Sequence, residues 1–310
     1  MRPSLLITGS HRSGKSCTVK GLNIKNHFNL IHEPLNKSGI GWIGLDNLYY
    51  YTYIDKSNSH LFKKEFDRTI YKYNYRAAKQ LSRSIGLSNI SKIVKDVIRS
   101  LRYKFNNKPA LLDDPFAVFS AEWFYKEYNS DVIIMIRHPA SFVSSLKLLN
   151  YRFDFYNILN QKHLVENKLK KYLPELIEFT TKEKSIVEQG EFLWRMIYDV
   201  VGRYRDTYKS KWLFVRFEDV VRYPDDSFEK ILNYAGISPD KRDIGKIKIQ
   251  LFRNTEGNDK EARILGKNGN GYSVHDHLKS FKTILTSGEI DYIKLKSQVV
   301  WKQFYTDEDW

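Results

Sequence analysis

The chain has 310 residues, enough for one large α/β domain with a sizeable core, and a formal charge of +15 that points to an anionic substrate, an acidic membrane face or nucleic acid without choosing among them. One cysteine, Cys17, excludes an internal disulfide and any multi-cysteine metal site, and it suits a reducing compartment. No apolar run reaches the ~18 residues of a membrane span and the N-terminus runs straight into a strand pattern, so the expected location is cytoplasmic, with peripheral contact to an acidic membrane left open.

The first element compresses strand, turn and helix into LLITGSHRSGKSCTVKGL, residues 5–22. Leu5, Leu6 and Ile7 form the short apolar run of a strand buried on both faces, and a helical pattern starts at Ser16. Between them GSHRSGKS satisfies GxxxxGK[ST]. Backbone N–H groups around Ser13, Gly14, Lys15, Ser16 and Cys17 would wrap a phosphate-like anion at the helix N-terminus, with the full charges of Arg12 and Lys15 beside them. Cys17 itself reads as a packed thiol at the helix start.

That helix is expected to end near Asn26. FNLIHEP then reads as a second strand stopped by Pro34, with His32 and Glu33 at its carboxyl edge. In doubly wound sheets ligands lie outside that edge, which brings Glu33 toward the first loop. Residues 38–60, with Trp42 and Tyr49, Tyr50, Tyr51 and Tyr53, read as a long loop forming a lid or wall. Two amphipathic helices follow, one through Leu61, Phe62, Phe66, Ile70, Tyr73, Ala77 and Leu81, the other through Ile93, Val94, Val97, Ile98 and Leu101, each read as a core stripe under a solvated basic face that includes Arg76, Lys79 and Arg83. PALLDDP is a third strand. Its exit carries Asp113 and Asp114, read as a helix N-cap before Pro115, with Mg²⁺ binding the alternative.

In DVIIMIRHPASFVSSLKLL, residues 131–149, Val132–Ile136 form a strand and Pro139 starts a helix. Arg137 stands at the strand's carboxyl edge. The helix buries Phe142, Val143, Leu146 and Leu149 and sets Ser141 and Ser145 on another face. An arginine fork with a serine hydroxyl is suited to a second phosphate, set apart from the first loop. Ile186 through Tyr204 make a long amphipathic helix, Trp212–Phe217 a further strand with Glu218 and Asp219 as caps, and residues 253–275 a mobile loop. Nothing resembles an RNA- or DNA-reading motif, so nucleic acid is not an expected partner.

Taken together, HRSGKS and the later IRHPASFVSS resemble the two nucleotide-binding signatures of the sulfotransferases that use 3′-phosphoadenosine 5′-phosphosulfate (PAPS). LIHEPLN is similar to the EP stretch of the carbohydrate-type and bacterial members, WLFVRFEDVVRYPDDSFEKILNYAGI to the family's strand and [YF]EDL-P segment, and SFKTILTSGEIDYI to its C-terminal helix. These matches span essentially the whole chain. The resemblance implies PAPS as donor and 3′-phosphoadenosine 5′-phosphate (PAP) as product, without metal. It implies the 5′-phosphosulfate on Arg12, Ser13, Gly14, Lys15, Ser16 and Cys17, and the 3′-phosphate on Arg137 and Ser145, which keep the family's eight-residue spacing. Glu33 takes the place of the base, with His32 as alternate and Arg12 and Lys15 as catalytic cations. The acceptor would be a hydroxyl of a glycan or glycolipid. Arg253, Arg263, Lys267 and Asn268 fall where relatives close over the nucleotide. Two departures stand out: Lys15 replaces a small hydroxyl residue and completes the pattern of a P-loop ATP-dependent small-molecule kinase, the alternative reading, and DDP stands where many relatives have a lysine before the proline. The expected fold is a P-loop-like, doubly wound, mostly parallel α/β sheet of four or five strands flanked by helices, a single domain over 1–310 with helical insertions at about 55–108 and 150–210.

Overall fold

The computed structural model describes residues 4–38, 42, 43, 45, 46, 48–83, 87–248 and 278–310. Residues 253–275, including Arg253, Arg263, Lys267 and Asn268, lie outside the described residues.

Five strands form one sheet: β1 Leu5–Gly9, β2 Asn29–His32, β3 Ala110–Asp113, β4 Asp131–Ile136 and β5 Leu213–Arg216, in the order β2-β3-β1-β4-β5. Every pairing is parallel. Strand side chains alternate between faces, and both faces are covered. Leu6, Leu112, Val132, Ile134 and Ile136 enter one core, while Leu5, Ile7, Leu111, Ile133 and Met135 enter another. That double burial is why the strands read as unbroken apolar runs.

The smaller core is roofed by helix α1, Lys15–Leu22, through Val19 and Leu22, and by Phe228 and Ile231 of the helix Pro224–Tyr234. On the other face lie α5, Ala121–Tyr128, α6, Pro139–Leu148, and the helix Ile186–Tyr208. The last of these starts in a reciprocal cap between Ser185 and Glu188 and buries residues around most of its circumference. It is therefore an interior helix, and Gly190 is what lets it approach Val143 of α6.

The insertion between β2 and β3 departs from its sequence pattern. The expected helix through Leu61–Leu81 is two helices, α2 Ser59–Ile70 and α3 Ala77–Arg83, because Tyr73 turns into the left-handed region at φ 48° and ends the run. Leu61 and Leu81, expected in the core, are exposed. Helix α4, Leu87–Phe105, has the expected position but not the expected facing: it buries Ile93, Asp96 and Ser100, and leaves Val94, Ile98 and Leu101 in solvent. Periodicity detects an apolar stripe, but not whether the molecule covers it. Leu149, expected to be buried at the end of α6, is also exposed, since the helix stops at Leu148. In the stretch after β2 that reads as a lid or wall, Trp42 and Tyr51 are fully buried in the larger core. No helix of the described residues is long and apolar enough to cross a membrane.

Candidate functional site

Parallel pairing in this register puts the carboxyl ends of all five strands on one side: Ile7 pairs with Asp113, His32 with Asp113, and Gly9 with Met135. The chain first winds to one side of β1 and then, through α5, to the other. The central strand therefore sits at the reversal of strand order, where such sheets open a crevice.

The loop 10–14 leaves β1 into this crevice. Arg12 adopts φ 62° and Gly14 φ 81°, and a Cβ on Gly14 would stand 1.9 Å from the Phe217 ring that follows β5. Glycine is required here twice, for the left-handed turn and for the close approach. Helix α1 then starts with no side-chain cap and no acidic residue in its first turn, so the positive end of its dipole lies at this end of the sheet, with the Cys17 N–H already taken by the Gly14 carbonyl at 3.1 Å. Ser13 is buried and its Oγ has no partner among the described residues. A buried hydroxyl beside an uncapped helix start suits an anion. Ser16 is exposed at the same turn, and Cys17 is half-buried against the smaller core.

Two contacts join this loop to the segments around the end of β4, and a third set joins the ends of β4 and β5. Arg12 Nε donates to Ser145 Oγ of α6 at 2.8 Å, across 133 residues. Tyr198 Oη, from the long helix, lies 2.9 Å from Ser10 Oγ and accepts the Arg137 N–H at 3.1 Å, pinning the loops after β1 and β4 together. Arg137 lies over the Phe217 ring at 4.5 Å, with Nε 3.6 Å from Glu218 Oε1. Glu218 also accepts from the His138 N–H at 3.0 Å and from Tyr305 Oη at 2.8 Å. Glu218 and Asp219, expected as caps, instead lie inside the first turn of the helix Phe217–Arg222, which has no side-chain cap, and Glu218 forms an ion pair with Arg137. Ser145, expected at a distance from the first loop, is in contact with it, so the two anion-binding stretches line one crevice. Tyr198 was hidden in the sequence because a tyrosine within a helical apolar stripe reads as core.

At the β2 and β3 ends the buried Asp113 carboxylate is shared. One oxygen takes the ammonium of buried Lys15 and the other faces His32 Nδ1 at 2.9 Å. Asp113 is buried, which favours its neutral form, but the Lys15 charge and His32 outweigh this and hold its pKa below the usual carboxylate range. Burial works to lower the His32 pKa, and the Asp113 hydrogen bond and charge prevail and raise it. His32 Nε2 then lies 3.9 Å from Glu33 Oε1. Glu33 sits just past β2 at φ 43°, and its Oε2 accepts from Asn36 Nδ2 at 2.6 Å. Asp114 fills the expected cap: its carboxylate accepts the N–H groups of Phe116 and Leu35, and burial, with Glu33 nearby, pushes its pKa up to about 7. From sequence, nothing distinguishes two adjacent aspartates. The fold makes one a cap and the other a partner of Lys15.

No family model matches the chain, and no curated protein resembles it in sequence. Among solved structures it is similar to the sulfotransferase domain of the Synechococcus PCC 7002 olefin synthase (13% identity, 99% of this chain and 95% of that one, TM-score 0.45). It is similar also to the sulfotransferase domain of the curacin biosynthetic pathway (15% identity, 96% and 98%, TM-score 0.45) and to sulfotransferase STF9 of Mycobacterium avium (13% identity, 99% and 78%, TM-score 0.45). Neither activity nor substrate follows from likeness this distant.

Chemically, the crevice offers two guanidinium groups, Arg12 and Arg137, hydroxyls of Ser13 and Ser145, and the bare start of α1 to anions. A carboxylate, Glu33, and an imidazole, His32, stand at the neighbouring strand ends. Cations and proton acceptors are thus grouped at adjacent ends of the sheet, as group transfer between an anionic donor and a hydroxyl requires.

Proposed function

We propose that the chain is a PAPS-dependent sulfotransferase acting on a hydroxyl of a carbohydrate or glycolipid. The observation that carries this reading is the Arg12–Ser145 contact, with the Arg137 backbone tied to the same loop through Tyr198. It gathers more cationic and hydroxyl groups than one phosphate needs, in a form suited to a nucleotide with anions at both its 5′ and 3′ ends. The fit rests on the orphaned Ser13 hydroxyl and the uncapped α1.

In this reading Ser13, Gly14, Lys15, Ser16 and Cys17 hold the 5′ anion through main-chain N–H groups and hydroxyls, and Arg137 and Ser145 hold the 3′-phosphate. The donor supplies a sulfuryl group whose departure leaves negative charge on its 5′-phosphate. Arg12 and the helix start are positioned to neutralise that charge, and preorganised donors are most effective where charge develops. Glu33 takes the proton of the attacking hydroxyl, which is a poor nucleophile while it keeps it. His32, oriented through Nδ1 by Asp113, is the alternate acceptor of that proton. Lys15 enters with its charge already matched by Asp113, so its pull on the donor is less than that of a free cation.

A P-loop kinase remains the second reading, favoured by Asp113 at the end of the strand next to β1, where such enzymes hold Mg²⁺ through a carboxylate. Incubation with donor labelled in the sulfuryl group and a panel of glycan and glycolipid acceptors separates the two. Transfer of label that persists in excess chelator supports sulfotransfer; chelator-sensitive turnover of ATP, with no label moved, overturns it.

A further inference from the structure

Helix α4 carries an apolar stripe that the fold leaves uncovered. Ile90, Val94, Ile98 and Leu101 are 43%, 52%, 52% and 52% exposed, and Phe105 is 90% exposed. At ~100° per residue these five fall within an arc of roughly 80° along the whole helix. The opposite side is fixed to the protein: Ile93, Asp96 and Ser100 are buried, and Ser100 Oγ donates to the Tyr73 carbonyl ahead of α3. The stripe is therefore held rigidly outward. Helix α3, packed against α4, adds the exposed Leu81.

Charge selects the occupant. The helix carries Lys92, Lys95, Arg99, Arg102 and Lys104 against Asp96 alone, and Lys95, Arg102 and Lys104 are exposed. On the same rotation Arg102 and Lys95 border the stripe on one side and Lys104 on the other. A second copy of this face would bring like charges together, and nucleic acid would leave the apolar stripe wet. Apolar side chains with flanking cations suit the interface of an anionic bilayer, where the former enter the acyl boundary and the latter meet the headgroups. We infer that α4 docks the protein on the surface of an anionic membrane, lying in the interface without crossing it. The inference does not depend on the chemistry of the crevice.

The test is co-sedimentation of the full chain with vesicles of phosphatidylcholine alone or containing roughly one third phosphatidylserine. Wild type is expected on the anionic vesicles and, at raised salt, to be partly released. Val94→Ser/Ile98→Ser/Phe105→Ser should lower partitioning at least ~10-fold, as should Lys95→Glu/Arg102→Glu, whose exposed side chains leave the fold intact. Wild type that stays in solution, or variants that partition unchanged, overturn the inference. A wild-type dimer by light scattering that the serine variant converts to monomer assigns the face to a second copy and overturns it too.

Discussion

Glu33 and His32 stand side by side at the end of β2, and in the proposed reaction substitution tells which one receives the proton. Glu33→Gln keeps the shape and the Asn36 contact while removing the base, so turnover should fall about 10²–10⁴-fold with donor binding intact. His32→Ala should cost less. Steady-state kinetics with separate donor titrations checks both, and a near-normal Glu33→Gln with an inactive His32→Ala moves the base back by one residue. His138 poses a different residue-scale question. Its ring is buried against Phe281, Tyr305 and Trp310, neither nitrogen has a partner among the described residues, and burial, with Arg137 and Arg216 nearby, holds its pKa well below 6.5. Below about pH 6.5 the unfolded chain takes up a proton that the folded ring refuses, so stability is full above that pH and is lost as pH falls. His138→Phe should remove about 1.4 kcal/mol per pH unit of this loss, visible as a flatter stability curve in urea unfolding below pH 6. An unchanged slope would mean that the ring is protonated in the fold.

Among the elements, the turn into α1 is the most constrained. Gly14→Ala meets both the positive φ and the Phe217 ring, and it should cost about 2 kcal/mol or more in unfolding free energy and weaken donor binding. Adding Phe217→Ala should restore part of the stability, since it removes the obstacle but not the backbone strain. No recovery in the double variant would show that the ring is not what confines the turn. The same scale shows what the sequence could reveal. Strands β1, β3 and β4 were legible because burial on both faces demands continuous apolar residues, the edge strands β2 and β5 because they alternate buried and half-buried residues, and the loop 10–14 because its glycine, hydroxyl and cationic residues are tied to their turn. The facing of α4 was not legible: Ile93 and Val94 are equally apolar neighbours, and only the surrounding packing decides that one is buried and the other exposed. The pairing of Asp113 with Lys15, 98 residues away, and the Tyr198 tie between two strand ends depend on register, which local pattern does not contain.

For the whole molecule, sheet order brings the loops after β1 and β4 together, and this convergence is what the sulfonucleotide reading needs. If Arg137 and Ser145 recognise a 3′-phosphate, affinity should depend on that phosphate and on those residues together. Calorimetric titration with PAP, 5′-AMP and Mg²⁺–ATP is the most direct measurement. The account predicts that PAP binds without metal and at least ~100-fold more tightly than 5′-AMP, since it gains charge-assisted contacts worth several kcal/mol. Arg137→Ala should collapse that preference and Ser145→Ala should reduce it, while 5′-AMP binding hardly changes. Equal affinity for PAP and 5′-AMP, or Mg²⁺–ATP binding that PAP does not displace, would contradict it.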